Sequence, residues 1–304
     1  MTNPVGAPLH VEGIHLVDAG GNRVQLRGVS THGLSWYPQY VNREAFAQLR
    51  DEWGINAVRL AMYTAELDGY LTGGDQAALE ALVDKGAALC EALGLYYIID
   101  WHILSDNNPL GHVEEAKRFF DRMAGKHGNR AIYEICNEPN GAEVTWPVVK
   151  AYAEQVIPVI RAHAPEALIL CGTPTWSQDV DHVAADPLKD GNLMYALHFY
   201  AATHKDALRD KARTALAAGT PVFVSEFSIC DASGNGALDY ASADAWSALI
   251  DEYGLSYIMW NLANRDESSC LIRADCDKTS GWTDDDLNDT GRWLKARLSG
   301  RAHA

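Results

Sequence analysis

The sequence predicts an α/β fold, a (β/α)8 TIM barrel with a short N-terminal β-hairpin closing the barrel bottom. Three observations carry this. Eight short runs of apolar, β-branched and aromatic residues recur along the 304 residues, with starts 25 to 38 positions apart. Each gap is long enough for a loop and a helix, and six stretches carry apolar residues at helical spacing. No glycine-rich dinucleotide loop follows the first run, which argues against a doubly wound open sheet. A length prior of about 150 residues per domain would suggest two domains, but α/β barrels run to about 250 residues as one.

In chain order, His15–Val17, the Asp18–Asn22 turn DAGGN and Val24–Leu26 read as the hairpin. The strand-like runs are Val24–Val29, Ala57–Met62, Leu95–Trp101, Ile132–Asn137, Leu168–Gly172, Leu193–Tyr200, Pro221–Phe227 and Tyr257–Leu262. Helical spacing appears in Glu44–Trp53, Asp75–Leu93, Val113–Lys126, Thr145–Ala164, Lys205–Ala218 and Ala241–Tyr253. Asp75 reads as a helix start and Gly94 as the stop of that helix. Segments 1–8 and 299–304 read as trimmed ends of a single domain spanning 1–304.

Composition narrows the function. The charged residues, 25 basic and 41 acidic, give a net charge of −16 with no basic stripe, so no nucleic acid is expected as a partner. The same field repels polyanionic substrates and leaves neutral ones unaffected. No apolar run approaches the ~18 residues that a membrane helix needs, so no membrane partner is expected. Nine Trp make flat apolar surfaces available, and sugar faces are one partner for them. None of the six cysteines forms a C-x-x-C pair, which weakens zinc and thioredoxin-type readings. Cys90, Cys136 and Cys171 read as buried small hydrophobes, and a Cys270–Cys276 disulfide is left open. The segment MTNPVGAPLH lacks the basic start and apolar stretch of a signal peptide. The protein is then either cytosolic or a secreted chain whose signal has been removed.

Barrel enzymes build their sites at the C-terminal ends of the strands. Here those ends are polar: His32 after the first run, Arg59 in the second, His102 after Asp100 and Trp101, Asn137-Glu138, Trp176, His198 with Tyr200, Glu226, and Trp260-Asn261. A single polar strand end means little, whereas polar groups at the same end of every strand point to a site. Glu138 and Glu226, on strands four and seven, can face each other across the mouth. Glycoside hydrolysis needs such a pair, one to protonate the leaving oxygen and one on the other face of the sugar. A gap of about 5–5.5 Å permits direct attack with retention, and a wider one admits a water and inverts. Arg59 nearby would keep one Glu ionised, and the neighbouring negative charge would raise the other. Asn137 is placed to hydrogen-bond a sugar hydroxyl near the reacting carbon. Trp36, Trp176 and Trp260, with Tyr63, offer stacking platforms for pyranose rings.

The blocks RGVSTHGLSWYP (27–38), AVRLAMYT, YYIIDWHILSD, YEICNEPNG, GTPTWSQDV, LHFYAATHK, VSEFSICDASGNG and WNLANRDESS (260–269) stand in order along nearly the whole chain. In them the chain resembles glycoside hydrolase family 5, and within it the bacterial endo-β-1,4-glucanases (cellulases) of subfamily 2. The resemblance implies a single catalytic domain over 1–304 and a retaining double displacement with Glu138 as general acid/base and Glu226 as nucleophile. Arg59, His102, Asn137, His198, Tyr200 and Trp260 match residues around that pair. His32 and Trp36 match sugar-binding positions on the non-reducing side, and Trp176 an aromatic on the leaving-group side. Arg265 and Glu267 match contacts to glucose hydroxyls. Arg265 stands where Lys is more usual, Phe227 where Trp often follows the nucleophile, and Cys270 where Ala is common.

The expected partner is therefore a β-1,4-glucan polysaccharide or cello-oligosaccharide, with no cofactor and no metal. Since a polymer cannot enter the cell, a secreted, extracellular protein is expected, with carbohydrate-binding or dockerin modules as candidate neighbours in a parent chain. Three other classes fit the sequence less well. A metal-dependent barrel hydrolase wants a His-x-His pair on strand one and an Asp ending strand eight, where this chain has one His and a Trp. A carbohydrate-binding protein without activity would not need both carboxylates. A phosphate substrate is disfavoured because NRDESS after the last strand forms no glycine-rich anion cradle. Mannan, xylan and mixed-linkage glucan remain alternatives to cellulose.

Overall fold

The structure, a computed structural model, describes residues 8–300. Among the described residues, eight parallel strands close into a barrel: β3 (Arg27–Thr31), β4 (Ala57–Tyr63), β5 (Tyr96–His102), β6 (Ile132–Glu134), β7 (Ile169–Cys171), β8 (Leu193–Tyr200), β9 (Val222–Ser228) and β10 (Tyr257–Leu262), the last pairing with β3. The strands are apolar almost throughout because both faces are covered. On β4, Val58, Leu60 and Met62 pack outward into the large shared core, while Ala57, Arg59 and Ala61 alternate with them. The trimmed ends expected at 1–8 and 299–304 lie outside the described residues, apart from Pro8, Ser299 and Gly300.

Helices fill most of the gaps. Val113–His127 buries Ala116, Phe119, Phe120, Met123, Ala124 and His127, one stripe at helical spacing. Asp75 caps Gln76–Leu93 by accepting the Ala78 N–H, and Gly94 closes it in the left-handed region at φ 68°. The helix expected over Glu44–Trp53 is α-helical only over Arg43–Gln48 and finishes as a π-turn, Leu49–Trp53. Among the described residues, the connection after β7 holds no long helix: a four-residue helical turn, Pro174–Ser177, and a 3-10 helix, Val180–Ala185, take its place. The C-terminal helix Asp289–Leu298 was absent from the sequence reading. It packs so closely that a Cβ on Gly291 would lie 2.3 Å from the Leu271 carbonyl oxygen.

The hairpin is shifted from the predicted one. Its strands are β1 (His10–Glu12) and β2 (His15–Val17), turned at Gly13 with φ 61°. The predicted partner of β2 is reduced to a Val17–Arg23 bridge and a Val24 N–H donated to the Leu16 carbonyl, so β3 starts at Arg27 rather than Val24. The expected function of the hairpin holds. Leu9, Leu16 and Leu26 form one cluster with the inward-facing Ile98, Ile132, Leu170, Met194, Phe223 and Ile258, and this plugs the barrel floor. All six cysteines are free and buried, so Cys270 and Cys276 are not bridged.

Candidate active site

A cavity of about 690 Å³ opens at the C-terminal ends of the strands. Twelve residues expected from sequence line it: His32, Trp36, Tyr63, His102, Glu138, Trp176, His198, Tyr200, Glu226, Trp260, Arg265 and Glu267. Arg59 and Asn137 lie just beneath it, with no exposed surface.

Arg59 organises the floor. Its Nη1 donates to Glu226 Oε2 at 2.9 Å, its Nε to Glu134 Oε2 at 2.6 Å, its Nη2 to Asn137 Oδ1, and Asp100 Oδ2 lies 3.0 Å from Nη2. Burial alone would disfavour the guanidinium charge, but these carboxylates hold it firmly. Asn137 also donates Nδ2 to the Ile103 carbonyl at 3.0 Å. Its amide thus ties Arg59 to the end of β5. Tyr200 donates its hydroxyl to Glu226 Oε1 at 2.8 Å, so both Glu226 oxygens are fixed.

Glu138, Glu226 and His198 each place a polar atom within 4.8 Å of the others. Glu138 Oε1 lies 2.9 Å from His198 Nδ1. Burial pushes the Glu138 carboxyl up, and the Glu226 charge adds to this against the pull of His198. Burial also works to raise Glu226, but His198, Arg59, His102 and the Tyr200 hydroxyl outweigh it and hold that carboxyl below its ordinary range. Two identical groups are thereby driven apart, one toward the acid and one toward the anion. A metal could draw on Glu138, His198 and Glu226, or on Asp179, Asp181 and His182. In both groups a basic side chain already occupies a carboxylate, Arg59 on Glu226 and Lys211 on Asp179.

The aromatic walls follow from local backbone. Gly33 lets Tyr63 lie against it, since a Cβ there would meet the ring at 2.3 Å. Trp260 stacks on His102 at 5.1 Å between centroids. His32 stacks near Trp36 at 5.5 Å and is held neutral, its pKa lowered to about 3 by burial and by Arg265 and His102. Arg265 lies 5.0 Å over the Trp36 ring and pairs with Glu267 at 3.0 Å. Trp176 stands on the opposite rim, 44% exposed, on a turn where Thr175, Trp176 and Ser177 all have φ between 55° and 58°. The Ser177 hydroxyl bond to the Asn137 carbonyl, 2.6 Å, and the Trp176 N–H bond to the Pro139 carbonyl, 3.1 Å, hold that left-handed turn.

The sequence reading missed Glu66, Leu104, Gln178, His204 and the Ala232–Gly234 stretch along the cavity, and Asp100, Glu134 and Ser225 under it. Asp100 and Glu134 carry a signal: each is an acid at an inward position of an apolar strand. Ser225 stands two residues after the inward-facing Phe223 and keeps its face, but a serine in a strand is too common to mark a site. β9 has a register shift between Phe223 and Glu226 relative to Ala196 and His198 of β8, and that bulge turns Glu226 inward as well, where strict alternation would put it on the other face from Ser225. Phe227 faces away, packing on Phe199 at 5.0 Å.

Residues 17–266 match the model of the family Cellulase (glycosyl hydrolase family 5). The chain is 48% identical to an Endoglucanase A of Butyrivibrio fibrisolvens, covering 97% of the chain and 70% of that protein. It is 44% identical to an Endoglucanase N of Pectobacterium atrosepticum, covering 97% and 66%. It thus spans about two thirds of the length of these curated relatives. The catalytic domain of a Thermobifida fusca endoglucanase, crystallised in complex with cellotetraose, superposes with a TM-score of 0.92 at 35% identity, covering 98% of this chain and 99% of that one.

Proposed function

The chain belongs to the cellulase family, glycosyl hydrolase family 5, and from that premise we propose that it is an endo-acting retaining glycoside hydrolase of internal β-1,4-glucosidic bonds in cellulose and related β-glucans. The observation that carries the reading is the Glu138–Glu226 pair: within 4.8 Å at their nearest and shifted in opposite directions. An approach that close favours the about 5–5.5 Å carboxyl separation of retaining enzymes over the about 6.5–9.5 Å of inverting ones.

In the first half-reaction a Glu226 oxygen bonds the anomeric carbon. The glycosidic C–O bond breaks, and the leaving oxygen takes the proton of Glu138. In the second, a water gives a proton to Glu138 and its oxygen bonds the same carbon as the bond to Glu226 breaks. Arg59 and Tyr200 orient Glu226, while His102 and His198 organise the hydrogen bonds around the cleaved ring. Trp36 and Tyr63 stack rings on one side and Trp176 on the other. Trp260 floors the cleaved ring, and His32, Arg265 and Glu267 bind hydroxyls. The catalytic unit is one barrel domain, the native protein works outside the cell, and further modules flank it in a longer parent.

The test is release of reducing ends and loss of viscosity on barley β-glucan, carboxymethyl cellulose, mannan and xylan. Fast viscosity loss on the glucans is expected. Glu226→Gln should lose several orders of magnitude, and azide should partly restore Glu138→Ala on an activated glycoside. Full activity in Glu138→Gln or Glu226→Gln would overturn the mechanism.

A further inference from the structure

Under the cleft floor, a chain of hydrogen bonds joins the two carboxylates through Arg59, Glu134, Ser225 and His198, of which His198 alone lines the cavity. From Glu226, Arg59 leads to Glu134. Glu134 Oε1 accepts the Ser225 hydroxyl at 2.6 Å, Ser225 Oγ lies 2.9 Å from His198 Nε2, and His198 Nδ1 lies 2.9 Å from Glu138. Glu134 and Ser225 are both fully buried.

The direction of this chain is fixed by counting hydrogens. Glu134 faces the Arg59 guanidinium and stays ionised, so it can only accept. The single Ser225 hydrogen is then committed to Glu134, and Oγ turns a lone pair toward His198. Nε2 must carry a hydrogen to meet it. In the neutral imidazole this leaves Nδ1 as an acceptor, and only a protonated Glu138 completes that bond. In the charged imidazolium Nδ1 donates to an ionised Glu138. In both forms the pair holds one proton.

We propose that Ser225 and Glu134 are positioning residues for proton delivery: they fix the His198 hydrogen on Nε2, present Nδ1 to Glu138, and so keep one proton on that pair for the leaving oxygen. This rests on the reading of Glu138 as acid/base. Once Glu138 has given up its proton, its carboxylate faces an acceptor and gains no donor from His198, which makes it the stronger base for the attacking water. Other charged groups face the same pair. Glu226 on β9 and His102 on β5 act on Glu138, Tyr200 on β8 lies beside Glu226, and Asp100 on β5 shares Arg59. None of them bonds His198 Nε2.

The experiment is the pH dependence of kcat/KM for the full chain on cellotetraose and on an aryl cellobioside whose leaving group needs no proton. Ser225→Ala should lower the basic limb on cellotetraose by about half a pH unit or more and cut the optimum about tenfold, with the aryl substrate changed by no more than about twofold. Glu134→Gln replaces an obligate acceptor by a group that can donate, which reverses the Ser225 hydroxyl. It should lower the basic limb too, and the acid limb with it, because Arg59 is left to Glu226. If that buried change prevents folding, Ser225→Ala decides alone. Unshifted limbs with an equal loss on both substrates would overturn the proposal and leave Ser225 a packing residue. Inactive Glu138→Gln and Glu226→Gln alongside that result would sink the positioning role only, whereas active ones would sink the two-carboxylate reading beneath it.

Discussion

Glu138 and Glu226 are the same side chain in two surroundings. Glu226 has a cation and a phenol on its two oxygens, while Glu138 has a histidine on one oxygen and lies beside the Glu226 charge. In the proposed mechanism Glu226 must be ionised, so kcat/KM falls as pH drops through its depressed value. Glu138 must be protonated, so kcat/KM falls as pH rises through its elevated value. A bell with its plateau between the two is expected, wider than two ordinary carboxyls would give. A profile on cellotetraose checks it, and a single limb would contradict it. Both acids were legible as lone Glu residues at strand ends, and Arg59 as a cation inside an apolar strand. Asp100 and Glu134 were equally legible by alternation, but an acid within a strand carries no sign of which neighbour it will meet. Those neighbours, Arg59 for both, come from another strand.

At the scale of elements, departures from regularity aim the side chains. The bulge on β9 brings Ser225 and Glu226 to one side. Three consecutive left-handed residues set Trp176 on the rim, at a cost of about 1–2 kcal/mol each that neighbouring hydrogen bonds offset. The strands were legible to within a few residues because eight apolar runs punctuate the chain. The bulge and the turn were not, since both depend on pairing partners and on carbonyls supplied by other segments. The hairpin shows the same limit: the turn visible in the sequence was Asp18–Asn22, whereas the strand that pairs with β2 lies on its other side, across Gly13. The barrel floor gives a prediction at this scale. Leu16→Ala should lower unfolding free energy by about 2–4 kcal/mol in urea titration and leave kcat unchanged, because the cavity it creates lies at the far end of the barrel from the site. A matching loss of kcat would show that the floor and the mouth are coupled.

The whole molecule carries a net charge of −16, and Glu66, Glu138, Glu226 and Glu267 line the cleft against Arg265. A neutral glucan is indifferent to that field, and a carboxymethylated one is repelled. Hydrolysis of carboxymethyl cellulose should therefore rise several-fold in kcat/KM as salt goes from about 10 to about 200 mM, where the screening length shortens from about 30 to under 10 Å. Hydrolysis of barley β-glucan should stay flat over the same range. Equal salt responses would mean that the local charge of the cleft differs from the global one. No helix among the described residues is long and apolar enough to cross a membrane.

The sequence by itself determined the barrel, and it pointed to the strand ends and the two acids on which the proposal rests, since these follow from periodicity and from polar residues placed where apolar runs stop. Only the tertiary structure decided which carboxylate is charged, which way the hydrogen bonds run beneath them, and how β9 bends to present Glu226. Those are properties of distance and desolvation between strands. They arise when the eighth strand closes on the first and puts Arg59, Glu134, His198 and Glu226 in one water-poor space.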